Sequence, residues 1–105
     1  MSERQVSREI QDFLKSLGFA VWSSEQGYRR ERGGTRTSAG IPDLIVMGHG
    51  LFTFVEVKTP KGKLTPAQQV FRDECKASDI GWQLWRDVRD AWTWCVREGL
   101  IEEAR

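Results

Sequence analysis

Two apolar runs, Ile41 to Met47 and Leu51 to Lys58, are separated only by Gly48-His49-Gly50, and this spacing constrains the chain more than any other feature. Both runs are rich in β-branched and aromatic residues and the residues between them are turn formers, so a β-hairpin is expected. The turn length decides which side chains meet. With His49 and Gly50 as the central turn residues, Gly48 faces Leu51, and the same register sets Asp43 directly across from Glu56. Lys58 then shares the Glu56 face, roughly 6.5–7 Å further along the strand. A three-residue turn would place the two carboxylates on opposite faces.

Carboxylates that face one another across a hairpin have Cβ atoms about 5 Å apart and repel unless a cation lies between them. Hard oxygen ligands of this kind select Mg²⁺ or Mn²⁺. A plainer reading has Asp43 capping a turn after Pro42 while Glu56 and Lys58 line the wet face of a half-exposed strand. The aromatic Phe52 and Phe54 on the Glu56 face, and the apolar character of both strands, favour a buried carboxylate, which needs a partner.

The 105 residues are expected to form one domain, residues 1–105, with a single core. No apolar run approaches the roughly 18 residues of a membrane span and no signal-peptide pattern opens the chain, so a cytoplasmic setting is expected. Cys75 and Cys95 are the only cysteines and His49 the only histidine, too few for a Cys/His zinc site, and both cysteines fall on apolar helical stripes. The net charge of +1 says nothing about nucleic acid, but its distribution does. Residues 1–63 carry ten Lys/Arg against seven Asp/Glu, whereas residues 64–105 carry six against eight. The basic half holds the facing carboxylates.

Ser2 and Gln5 have capping-box spacing, and Val6, Ile10, Phe13, Leu14 and Leu17 recur at helical intervals until Gly18. Glu9 borders that stripe and is expected to be held against the sheet. Phe19 to Trp22 reads as a short strand. Gln26 to Gly40 is glycine-rich and basic, with Arg29, Arg30, Arg32 and Arg36 against one acid; such runs are usually solvated surface, but this one feeds the Asp43 strand and can meet phosphate. Tyr28 within it has either a stacking or a packing role. Lys61 and Lys63 can reach phosphate from the turn after Lys58.

Thr65, Pro66 and Gln68 form the start of a second helix, with Gln68 completing a capping box. Val70, Phe71 and Cys75 are expected to be its buried face. Trp82 to Arg86 reads as a strand joined to the hairpin by a right-handed parallel crossover. Asp87 then caps a last helix with Val88, Ala91, Trp92, Cys95 and Val96 as its apolar side. Trp94 lies off that stripe and Trp85 is not forced inward by its strand period, so both are candidates for a subunit contact.

Pro42-Asp43, twelve intervening residues and Glu56-Val57-Lys58 resemble the Pro-Asp…(Asp/Glu)-X-Lys signature of the PD-(D/E)XK nuclease superfamily. The wider Gly40-Ile-Pro-Asp-Leu44, Val55-Glu-Val-Lys58 and Gly62-Lys-Leu-Thr-Pro-Ala-Gln68 resemble its VRR-NUC branch, from the first helix to about Trp85. The resemblance implies an α/β, restriction-endonuclease-like fold: an αβββαβ core with a mixed central sheet flanked by helices, here followed by a C-terminal helix. It implies a Mg²⁺- or Mn²⁺-dependent deoxyribonuclease in a bacterial or phage-infected cell. Asp43, Glu56, the Val57 carbonyl and Glu9 are the expected metal contacts, although Glu9 fits equally an ordinary border residue. Lys58 is expected to act on the attacking water and transition state, and Gln68 to lie near the metal beyond its capping role.

Products with 5′-phosphates, branched DNA such as four-way (Holliday) junctions as substrate, a setting in replication, recombination or repair, and a homodimer are further implications. Two alternatives keep the fold without the reaction: a nucleic-acid-binding module, and an accessory subunit that docks on a replication complex through its tryptophan-rich end.

Overall fold

The computed structural model describes residues 1–24 and 40–102. In chain order the elements are α1 (Glu3–Ser16), β1 (Ala20–Ser23), β2 (Leu44–Gly48), β3 (Leu51–Val57), α2 (Pro66–Ala77), β4 (Trp82–Trp85) and α3 (Val88–Arg97). The four strands form one sheet in the order β1-β2-β3-β4, with β1, β2 and β3 antiparallel and β4 parallel to β3. This mixed α/β arrangement, αβββαβ with a last helix, is the expected one.

The turn between β2 and β3 has two central residues. Gly48 pairs with Leu51, and His49 and Gly50 both take positive φ, 54° and 78°, as a type I′ turn requires. His49 holds this turn from outside: its Nε2 lies 2.7 Å from the Leu17 carbonyl oxygen, and its ring meets Phe19 edge-on at 4.9 Å. Gly18, at φ 94°, supplies the left-handed residue that ends α1, where Phe19 N–H donates to Leu14 and Gly18 N–H to Lys15.

One face of the sheet carries the main core. Val6, Ile10 and Leu14 of α1, and Ala91, Trp94 and Cys95 of α3, pack on Leu44, Val46, Val55, Val57 and Trp85. Helix α2 lies on the opposite face, where Phe71 meets Phe54 edge-on at 5.1 Å. Glu56 and Asp43 point to this second side, since their neighbours in register, Val55 and Val57, Leu44 and Val46, point to the first.

Several expectations need correction. Strand β2 starts at Leu44, not Ile41, because Pro42 has no N–H for a ladder; Ser24 donates to the Pro42 and Asp43 carbonyls there instead. Strand β1 is displaced by one residue, since Phe19 belongs to the cap of α1. Val70 is exposed: α2 buries the stripe through Phe71 and Cys75, and Val70 lies on its far side. Trp85 and Trp94, expected outside, are each 3% exposed and pack together at a ring distance of 5.7 Å. Their burial follows from α3 meeting both α1 and the sheet, which widens its apolar face beyond a single stripe, and from Trp85 pairing with Val57.

Candidate functional site

Register carries Asp43 to the position across from Glu56, one residue beyond the last paired residues Leu44 and Val55. Asp43 turns its carbonyl outward to Ser24 N–H, and the strand of Glu56 gives its Phe54 and Lys58 N–H groups to the carbonyls of Gly81, just before β4, and Trp85. The two residues are thus a non-hydrogen-bonded pair, the kind whose side chains come closest. The Asp43 carboxylate also accepts from Val57 N–H at 2.8 Å, which fixes its rotamer. Continuing the register sets Val57 opposite Pro42, which has no N–H to offer the Val57 carbonyl.

Glu56 is 2% exposed. Its Oε2 accepts from Gln68 Nε2 at 3.0 Å and lies 4.0 Å from Lys58 Nζ, whereas Oε1 is buried without a hydrogen-bond partner. Burial is the largest influence on its acidity and the facing Asp43 the next, through its charge and a hydrogen bond to the protonated form. Lys58 opposes them, and together they push the pKa up to about 9. A carboxyl group so placed is satisfied in two ways, as a hydroxyl donating to Asp43 or as a carboxylate sharing a cation with it.

The donor set therefore fits a hard divalent cation: two carboxylates, and a main-chain carbonyl that the adjacent proline leaves free of the ladder. Among the described residues no group of three or more His, Cys, Asp and Glu side chains converges, so water or substrate oxygens would complete the coordination.

Gln68 does two things at once. Its Oε1 accepts from Thr65 N–H at 2.9 Å and its N–H donates to Thr65 Oγ1, closing the capping box of α2, while its Nε2 holds Glu56. One amide thus closes the cap and meets Glu56, and its orientation is dictated because the oxygen faces a donor and the nitrogen an acceptor. Gly40 allows this closeness. A Cβ there would collide with the carbonyl oxygen of Ala67 in the first turn of α2.

Glu9 is exposed, not held against the sheet. At 100° per residue it lies about 90° round the helix from the Val6-Ile10-Leu14 stripe. Glu3, also exposed, falls at the angle of that stripe at the helix start, and its charge is the smallest of the influences on Glu56. The i, i+3, i+7 spacing from Glu3 to Val6 and Ile10 was the signal that could have identified it.

Arg86 is a second residue that sequence patterns did not reveal. Its Nη1 donates to the carbonyls of Thr59, Pro60 and Gly62 at 2.7, 3.2 and 2.8 Å, shaping the turn that exposes Lys61 and Lys63 beside the site. Tyr28, Arg29, Arg30, Arg32 and Arg36 lie outside the described residues.

No described helix is long and apolar enough to cross a membrane. No curated protein matches the chain. A solved structure described as a VRR_NUC domain superposes with a TM-score of 0.68 over 96% of this chain and 100% of its own, at 21% identity, which establishes a shared fold. Residues 5–86 match the VRR-NUC domain family, a span that contains Asp43, Glu56, Lys58, Gln68 and Arg86, and the chain belongs to that family of nuclease domains.

Proposed function

We propose that this chain is a metal-dependent DNA endonuclease whose centre is Asp43, Glu56 and Lys58. The observation that carries the reading is a buried Glu56 carboxyl, its Oε1 receiving no hydrogen bond, facing a second carboxyl group. A binding module would gain nothing from such a pair beside a phosphodiester, since it repels the substrate.

Asp43, Glu56 and the Val57 carbonyl would hold Mg²⁺ or Mn²⁺, with Glu3 adding negative charge from α1 where Glu9 does not reach inward. When bound, the cation lowers the pKa of a water and offsets charge on the phosphate. Val57 N–H keeps Asp43 aimed at the site, and Gln68 keeps Glu56 aimed at it. The Lys58 side chain is only 12% exposed, so its ammonium acts in a partly desolvated setting on the developing charge of the phosphoryl group and on the incoming water. Cleavage of the P–O3′ bond leaves a 5′-phosphate.

Lys61 and Lys63, with Arg29, Arg30, Arg32 and Arg36, are proposed to contact backbone phosphates and contribute affinity without sequence preference. Branched DNA is the proposed substrate, four-way junctions included, in replication, recombination or repair. Paired cuts in a junction need two such centres, hence a homodimer, whose contact excludes the buried Trp85 and Trp94.

The test is a panel of labelled linear, single-stranded, flapped and four-way-junction DNAs with Mg²⁺, Mn²⁺ or EDTA, run on wild type and Asp43→Asn. Metal-dependent cleavage by the wild type alone supports the reading. Binding without cleavage under every condition would make the domain a binding module.

A further inference from the structure

The sheet face that bears Asp43 and Glu56 is covered unevenly. Helix α2 lies over its β3–β4 half, where Phe71 packs on Phe54. The β1–β2 half exposes Trp22 at 61% and Met47 at 41%, and Phe52 beside them at 44%. The register puts all three on the carboxylate side: Trp22 pairs with Ile45, two residues from Asp43, and Met47 pairs with Phe52.

Large exposed apolar side chains grouped on one surface call for an occupant. From strand rise and spacing, the Cβ of Trp22 lies about 8 Å from that of Asp43, on the order of two base-stacking steps. A surface of indole, thioether and phenyl offers nothing to phosphate, but an indole face accepts any base. In an intact duplex the base faces are already occupied by their neighbours. We propose that Trp22, with Met47 diagonal to it on the neighbouring strand, is a stacking platform for an unpaired nucleotide next to the scissile phosphate, so that the substrate class is DNA with single-stranded character at the cut.

This inference rests on the nuclease reading for its choice of ligand, but its binding can be measured without cleavage. Of the tryptophans, Trp22 alone is among the exposed large apolar residues, so it reports selectively on a surface ligand. The full chain in EDTA would be titrated with an oligodeoxythymidylate of about ten residues, a length within one domain's usual site size, and with a blunt duplex. The expected result is quenching of wild-type tryptophan fluorescence by the single strand and, by anisotropy of a dye-labelled strand, affinity about tenfold lower in Trp22→Ala. Trp22→Phe should retain most of the affinity, and all three proteins should bind the blunt duplex alike.

Equal losses on both ligands, or no loss on either, would overturn the platform. So would a halved mass of Trp22→Ala in light scattering, which would assign this face to a second copy of the chain. If Asp43→Asn abolishes cleavage while Trp22→Ala binds like wild type, the nuclease reading survives and the platform does not. If no DNA is cut but selective quenching persists, the reverse holds.

Discussion

Gln68 Nε2 donates to Glu56 Oε2 at 3.0 Å while the same amide closes the cap of α2, so the helix start and the acidic centre are held by one side chain. Gln68→Glu separates the two functions, because glutamate also completes a Thr-x-x-Glu capping box but repels Glu56. Cleavage should fall about 10- to 100-fold, as for loss of a group that orients a ligand. Helix content by circular dichroism should not change. Gln68→Ala should lose the activity and also about 1 kcal/mol of stability. Equal activity in wild type and Gln68→Glu would reduce Gln68 to a cap.

The raised pKa of Glu56 sets a pH dependence of stability opposite to that of an ordinary paired carboxylate. Its folded value is about 9 against 4.5 for the unfolded group, so between these limits the folded state binds more protons than the unfolded one. Metal-free stability should therefore be fullest below about pH 4.5 and decline as pH rises to about 9, by at most about 1.4 kcal/mol per pH unit from this group. Glu56→Gln should flatten the decline, and Mn²⁺ should reverse it in the wild type, because the cation replaces the proton between the carboxylates. Urea unfolding across this range, with and without Mn²⁺, measures it. A wild-type curve as flat as that of Glu56→Gln would count against the paired-carboxyl account.

Lys58→Ala should bind DNA in EDTA with nearly wild-type affinity and fail to cleave it with Mg²⁺. In the proposed mechanism its ammonium meets charge that develops only in the transition state, so kcat should fall while ground-state binding persists. Single-turnover cleavage alongside fluorescence anisotropy separates the two quantities. Unchanged turnover would remove Lys58 from the mechanism.

Gly40→Ala should destabilise the fold by about 1–3 kcal/mol, since the new methyl meets the backbone of Ala67, which cannot rotate away as a side chain could. The relief available is withdrawal of the Gly40-Ile41-Pro42 segment, which carries Asp43 with it. Metal affinity by calorimetry should drop together with the urea midpoint. Loss of stability with unaltered Mn²⁺ affinity would show that the segment yields without moving Asp43.

What was legible in the sequence was local or fixed by parity. The Gly48-His49-Gly50 turn, the caps at Ser2 and Thr65, and the pairing of position 43 with 56 need only near neighbours and an alternation of two. What was not legible depended on where distant elements arrive. Trp94 looks misplaced on its own helix and is buried because Phe19 and Trp85 reach it from elsewhere. Val70 fits an apolar list but not the side on which Phe54 waits for Phe71. A stripe drawn through apolar residues alone omits Glu3, the charged residue whose angle on α1 it shares. Arg86 binds three carbonyls of a turn more than twenty residues earlier, and no periodicity announces such a bond.

The His49 contact with Leu17 lies at the end of the hairpin remote from the carboxylates, yet it braces the turn that sets their phase. A strand has two sides, so a slip of β3 by one residue against β2 would turn it over, burying Glu56 in the main core and presenting Val55 or Val57 to Asp43. The apolar pattern on either side would still support a hairpin of some kind. A slip that begins far from Asp43 and Glu56 would thus part the two carboxyl groups, and the ring of His49, held on the carbonyl that closes the first helix, braces the turn against it.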